Sequence, residues 1–95
     1  MKILQLGILE DFIRKHADIK SSLESWLQEA KTSEWKNTMD IKNRYASASF
    51  LKENYVIFNI KGNSYRLVVK VAYNSQTVLV KWIGTHAEYD KKTFP

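Results

Sequence analysis

The chain has 95 residues and no cysteine, and its 15 Lys+Arg against 10 Asp+Glu leave a formal net charge of +5. That length supports one small domain around one core, expected to span residues 1–95, and the missing cysteines exclude disulfide and thiolate chemistry. No apolar run approaches the length of a membrane span or of a signal-peptide core, so a cytoplasmic protein without a membrane partner is expected.

The positive charge is uneven. Residues 1–50 carry 8 Lys+Arg against 7 Asp+Glu, and residues 51–95 carry 7 against 3. An excess confined to the second half favours a polyanionic partner, because each neutralised phosphate releases counterions. An acidic protein would gain from the same charge, and a basic protein with no such partner has the same composition.

In chain order, Met1–Leu4 is a candidate edge strand. Leu9, Phe12 and Ile13 have helical spacing within Ile8–His16, with Gly7 expected before that helix. Asp18 is a candidate N-cap for a second helix, since its carboxylate can accept orphan N–H groups of a first turn. Ile19, Leu23, Trp26, Leu27 and Ala30 form the apolar stripe of that helix. Thr32, Ser33, Asn37 and Thr38 punctuate its end. Met39–Tyr45 is expected to make one or two helical turns, followed by a loop anchored by Phe50.

From Tyr55 the hydrophobic period becomes two. A two-residue turn at Gly62-Asn63 pairs Ile60 with Tyr65, Phe58 with Leu67 and Val56 with Val69. A second at Asn74-Ser75 pairs Val71 with Val78, Val69 with Val80 and Leu67 with Trp82. One face then carries Val56, Phe58, Ile60, Tyr65, Leu67, Val69, Val71, Val78, Val80 and Trp82, which the helices must cover. The other carries Tyr55, Ile57, Asn59, Arg66, Val68, Lys70, Leu79, Lys81 and Ile83. A one-residue slip in the second hairpin would bury Lys81 opposite Val69, at a cost of several kcal/mol, roughly the stability of a small domain. The stated register is therefore expected.

The second face mixes cations with apolar groups and leads to His86 and Tyr89. RNA cleavage by internal transesterification needs a base for the 2′-OH, positive charge for the phosphorane and an acid for the 5′-oxygen. Arg66 offers a planar guanidinium for phosphate oxygens, with Lys70 and Lys81 as point charges. His86 can act as acid or base, Tyr89 can stack on a base or donate its proton, and Asp90 or Glu88 can orient His86. Plainer roles exist for each. A strand arginine also snorkels or pairs with a carboxylate, exposed lysines confer solubility, and a terminal tyrosine packs. His16, near a helix C-terminus, is read as structural. No His, Cys or carboxylate spacing resembles a metal site, and no cofactor motif is present.

The runs Val56-Ile57-Phe58-Asn59-Ile60-Lys61-Gly62-Asn63-Ser64-Tyr65-Arg66-Leu67-Val68-Val69 and Gly84-Thr85-His86-Ala87-Glu88-Tyr89-Asp90 resemble the HigB toxins, within the larger RelE/ParE superfamily. The resemblance implies an α+β, RelE-like fold, with two N-terminal helices packed on one face of a twisted antiparallel sheet. It also implies the toxin of a type II toxin–antitoxin pair, a metal-independent endoribonuclease (mRNA interferase) cutting mRNA in the ribosomal A site. Its expected partner is a co-encoded helix-turn-helix antitoxin of the HigA type. By position, Arg66 matches the superfamily's strand arginine, His86 its basic or histidine residue after the last strand, and Tyr89 its C-terminal tyrosine. Lys61, Lys70, Lys81, Lys91 and Lys92 are the corresponding RNA-binding candidates. The pattern departs at Ala46, where many relatives have proline, and little C-terminal helix is expected beyond Asp90. A non-enzymatic gyrase inhibitor on the same fold, or a plain RNA- or protein-binding domain, is the alternative.

Overall fold

The amphipathic stripes and alternating runs produce helices layered on one side of a sheet. A computed structural model describes residues 1–94. Strand β1 (Lys2–Leu4) leads into helix α1 (Leu6–Lys15), and a 3-10 turn (Ala17–Ile19) leads into α2 (Lys20–Thr32). A shorter helix, α3 (Thr38–Arg44), starts at Asn37, whose side chain accepts the Asp40 N–H. Strand β2 (Ser49–Phe50) and a 3-10 turn (Lys52–Asn54) precede β3 (Tyr55–Ile60), β4 (Tyr65–Ala72), β5 (Thr77–Thr85) and a terminal helix α4 (His86–Asp90). The five strands lie in the order β1-β5-β4-β3-β2. All neighbours are antiparallel except β1 and β5, which run parallel, so the sheet is mixed rather than purely antiparallel.

The helix-covered face holds the core. Ile19 of the 3-10 turn and Leu23, Trp26 and Ala30 of α2 are buried, with Ile41 from α3 and Leu9 from α1. They pack with Val56, Phe58, Ile60, Leu67, Val69, Val71, Val78 and Val80 of the sheet. Phe58 is the aromatic centre, with Tyr45, Trp26 and Trp35 rings at 5.1, 5.3 and 6.0 Å. Such contacts add about 0.5–1.5 kcal/mol per pair beyond area burial.

Several local expectations change. Gly7 lies inside α1, which starts at Leu6 rather than Ile8, after Gln5 in a left-handed conformation (φ 69°). Asp18 caps nothing, because the 3-10 turn carries it to the β3–β4 hairpin. There its carboxylate accepts the Tyr65 hydroxyl at 2.8 and 2.9 Å and pairs with Lys61 Nζ at 2.9 Å. Those two partners hold the Asp18 carboxyl below its ordinary value, and the same carboxylate raises the Tyr65 phenol. Phe50 belongs to the short edge strand β2 rather than to a loop.

Both long hairpins use four-residue connections, Lys61–Ser64 and Tyr73–Gln76, rather than two-residue turns. Lys61 and Gly62 take positive φ in the first and Gln76 in the second. The Gln76 amide also donates to the Trp35 carbonyl at 2.7 Å, tying that hairpin to the chain between α2 and α3. The expected β3–β4 register is observed, with Ile60 opposite Tyr65, Phe58 opposite Leu67 and Val56 opposite Val69. In β4–β5, Val71 faces Val78 and Val69 faces Val80, also as expected.

Beyond Val80 the register shifts by one. A bulge between Val68 and Val69 makes Trp82 the partner of Val68 and Ile83 the partner of Leu67. Two consecutive residues, Lys81 and Trp82, thus stand between inward-facing Val80 and Ile83. Trp82 is therefore not a core residue, and Ile83 is one, the reverse of strict alternation. The bulge turns the Trp82 indole out of the core and lets the smaller Ile83 enter it.

Candidate active site on the open sheet face

The face away from the helices is built by outward residues of β3, β4 and β5. It is not bare. Ile57 and Val68 are 3% and 0% exposed, yet neither belongs to the core beneath the helices. Val68 pairs across strands with Ile57 and Trp82, and an aromatic cluster gathers on this side. Phe94 approaches Tyr55 of β3 at 6.5 Å and Trp82 of β5 at 5.8 Å, so it spans β4 between them. Tyr89 of α4 completes the cluster, stacked on Phe94 at 5.9 Å and 6.2 Å from Trp82.

Gly84 makes room for this arrangement. A Cβ there would clash with Trp82 Cη2 and Cζ2, so the indole lies directly against the glycine backbone. Gly84 is also the cross-strand partner of Arg66. The Arg66 Nη1 donates only long bonds to the carbonyls of Asn63 (3.3 Å) and Tyr65 (3.4 Å). Among the described residues no carboxylate pairs with it. An uncommitted guanidinium beside apolar neighbours is well suited to an anion, since low local dielectric strengthens the attraction.

One residue past Gly84, the Thr85 hydroxyl accepts the Glu88 N–H at 3.1 Å while the Glu88 carboxylate accepts the Thr85 N–H at 2.8 Å. This capping box starts α4 at His86, and the helix ends at Asp90, beyond which little helix was expected. The Thr85 N–H, more than any other group, holds the Glu88 carboxyl below its ordinary value. The His86 backbone N–H donates to the Ser64 carbonyl at 3.0 Å, locking α4 onto the β3–β4 hairpin. The His86 side chain is exposed, and its Nε2 lies 3.8 Å from Asp90 Oδ1, too far for a hydrogen bond.

The structure divides the remaining cations. Lys70 stands on β4 with its Nζ 5.8 Å from the Tyr55 ring centroid, and Lys92 Nζ lies 5.9 Å from that of Trp82. Both flank the aromatic cluster. Lys81 is exposed at the margin of β5, lining a shallow groove with Ile8, Asp11, Phe12 and Lys15 of α1. Lys61 is engaged by Asp18. Lys91 is exposed at the end of α4, where its backbone N–H donates to the Glu88 carbonyl. Arg66, Lys70, Lys92, Tyr89 and the start of α4 thus gather along one face, while Lys61 lies across the hairpin end. Sequence reasoning missed Trp82 and Phe94 as members of this face. Gly84 inside a strand was the available signal, since an isolated strand glycine marks a bulge or a close approach.

No group of three or more His, Cys, Asp or Glu side chains among the described residues is arranged to hold a metal ion. No helix among them is long and apolar enough to cross a membrane.

Helices on one face of a small mixed sheet, and a cationic opposite face ending in a capped helix, define a RelE-like toxin domain. Residues 19–92 match the HigB toxin family, described as the RelE-like toxic component of a toxin-antitoxin system, and the chain belongs to that family. It is similar to the mRNA interferase HigB of Escherichia coli (strain CFT073), with 23% identity covering 98% of this chain and 92% of the relative. It is likewise similar to the mRNA interferase HigB of Shigella flexneri, with 26% identity covering 95% and 88%.

Proposed function

We propose that this toxin is an mRNA endoribonuclease that stops translation by cutting mRNA in the ribosomal A site. The observation that carries the reading is the unpaired Arg66 guanidinium beside Gly84, at the strand end from which α4 presents His86 and Tyr89. In this reading the 2′-OH loses its proton as its oxygen attacks phosphorus, and the departing 5′-oxygen receives a proton, leaving a cyclic phosphate. Arg66 offsets the charge that grows on the phosphorane oxygens. His86, open to solvent, serves one of the two proton transfers, and Tyr89 holds a base or supplies the other proton. Lys70 and Lys92 draw the phosphate backbone across the face. A HigA-like helix-turn-helix antitoxin neutralises the toxin, and both act in the cytoplasm.

The test is to express the toxin and map mRNA ends. New ends accompanying growth arrest, lost in Arg66→Ala and His86→Ala proteins that fold normally, are expected. Folded variants that cut as the parent does would remove the site. DNA replication stopping before translation would replace the nuclease reading with a gyrase-type inhibitor.

A further inference from the structure

The β5 bulge and Gly84 together do something that strict strand alternation would not: they lay an indole on the open face. Trp82 is half-buried, its ring pressed against Gly84, and Gly84 is the residue opposite Arg66. Lys92 and Lys70 flank the same aromatic cluster. An aromatic plate one strand away from an unpaired guanidinium has the composition of a single-strand nucleic-acid subsite. The cations hold backbone phosphates and the ring stacks on a base, whatever its identity. The indole already has aromatic company in Phe94, whose ring meets it at 5.8 Å with a tilt of 54°.

We infer that Trp82 is a base-stacking residue, forming with Arg66, Lys70 and Lys92 a subsite for an unpaired nucleotide of single-stranded RNA. This rests on the RNA-directed reading of the face but not on cleavage, and it gives Gly84 a role as the residue that lets the plate lie down beside the guanidinium. Stacking selects for the presence of a base rather than for its hydrogen-bonding edge. The subsite therefore positions RNA with little sequence preference.

The test uses purified, full-length toxin and two short 2′-O-methyl oligonucleotides that cannot be cleaved, one intact and one with a central abasic position. Trp26 and Trp35 are 3% and 5% exposed, so quenching of tryptophan fluorescence on titration reports chiefly on Trp82. The parent is expected to bind the intact strand about tenfold more tightly than the abasic one, the range of one base–aromatic stack. Trp82→Phe should retain most of that preference. Trp82→Leu, which still covers Val68 but has no π-face, should bind both strands alike. Measured by anisotropy of a labelled strand, an unchanged preference in Trp82→Leu overturns the assignment. So does failure of the parent to bind either strand, or an effect of Trp82→Leu confined to antitoxin affinity. A parent that binds with this preference yet cuts no mRNA in cells would sink the nuclease reading and leave the subsite standing.

Discussion

The two faces of one sheet obey different rules in this toxin. Beneath the helices, every inward residue from Val56 to Val80 follows strict alternation, and all are closely packed. On the open face the alternation breaks at Lys81, glycine replaces a side chain at position 84, and Phe94 from the chain's own end joins the aromatic cluster. The helix side is held by burial of large apolar groups, which tolerates no slip because a slip exposes every one of them. The open side is held by a few aromatic contacts and a capping box, and it keeps a guanidinium uncommitted. Stability is concentrated on one side and available chemistry on the other.

That contrast can be broken most strongly at Phe58. Phe58→Ala removes the ring around which Trp26, Trp35 and Tyr45 cluster and is expected to cost about 3–5 kcal/mol, a large share of the stability of a small domain. Chemical denaturation should show a much lower midpoint. Arg66→Ala should do the reverse, leaving the unfolding midpoint nearly unchanged while reducing mRNA cleavage by about 10²–10³-fold, the usual loss for a charge-stabilising group. A comparable loss of both properties would erase the division between the faces.

Gly84→Ala sharpens the comparison further. The added methyl must push the indole off the strand, at a cost of about 1–2 kcal/mol, with a red shift of tryptophan emission as Trp82 enters water. An unshifted spectrum would mean that the ring has another resting place. Thr85→Ala removes one half of the α4 capping box and should cost about 1 kcal/mol. Its larger effect should fall on cleavage, because α4 carries His86 and Tyr89.

The smallest effect concerns acid. The Asp18 carboxyl is held below its ordinary value by Lys61 and Tyr65, so its contribution is complete above the unfolded carboxylate pKa. That contribution fades as pH falls through the lower folded value. Unfolding midpoints measured at mildly and strongly acid pH should converge for the parent and Asp18→Asn as pH drops. A gap that persists at the lowest pH would assign the effect to packing of the hairpin instead.

The helical stripe of α2, the register of β3 with β4 and the inner half of the β4–β5 hairpin were legible because each is a periodic apolar pattern with one physically acceptable alignment. Arg66 and Lys70 could be placed on one face for the same reason, with His86 and Tyr89 just past the strand end beside Arg66. Asp18 was misread because a short polar residue before a helix has several satisfactory partners, and only the fold brings Tyr65 and Lys61 within reach. Trp82 and Ile83 were exchanged because either suits a core by composition. The bulge that gives the core Ile83 in place of Trp82 costs one ladder position, a balance set by neighbours on other strands. Phe94 carries no period at all, being a single ring beyond the last helix.

By itself, then, the order of residues determined the main helices and strands, their apolar faces and the basic character of the second half, since these depend on short-range spacing and charge. Tertiary structure alone decided that β1 runs parallel to β5, that the indole of Trp82 lies outside the core against Gly84, and that Phe94 joins the aromatic cluster on the open face. Those outcomes depend on contacts between segments far apart in sequence, whose free energies are set by shape and solvent exclusion once the whole chain has closed.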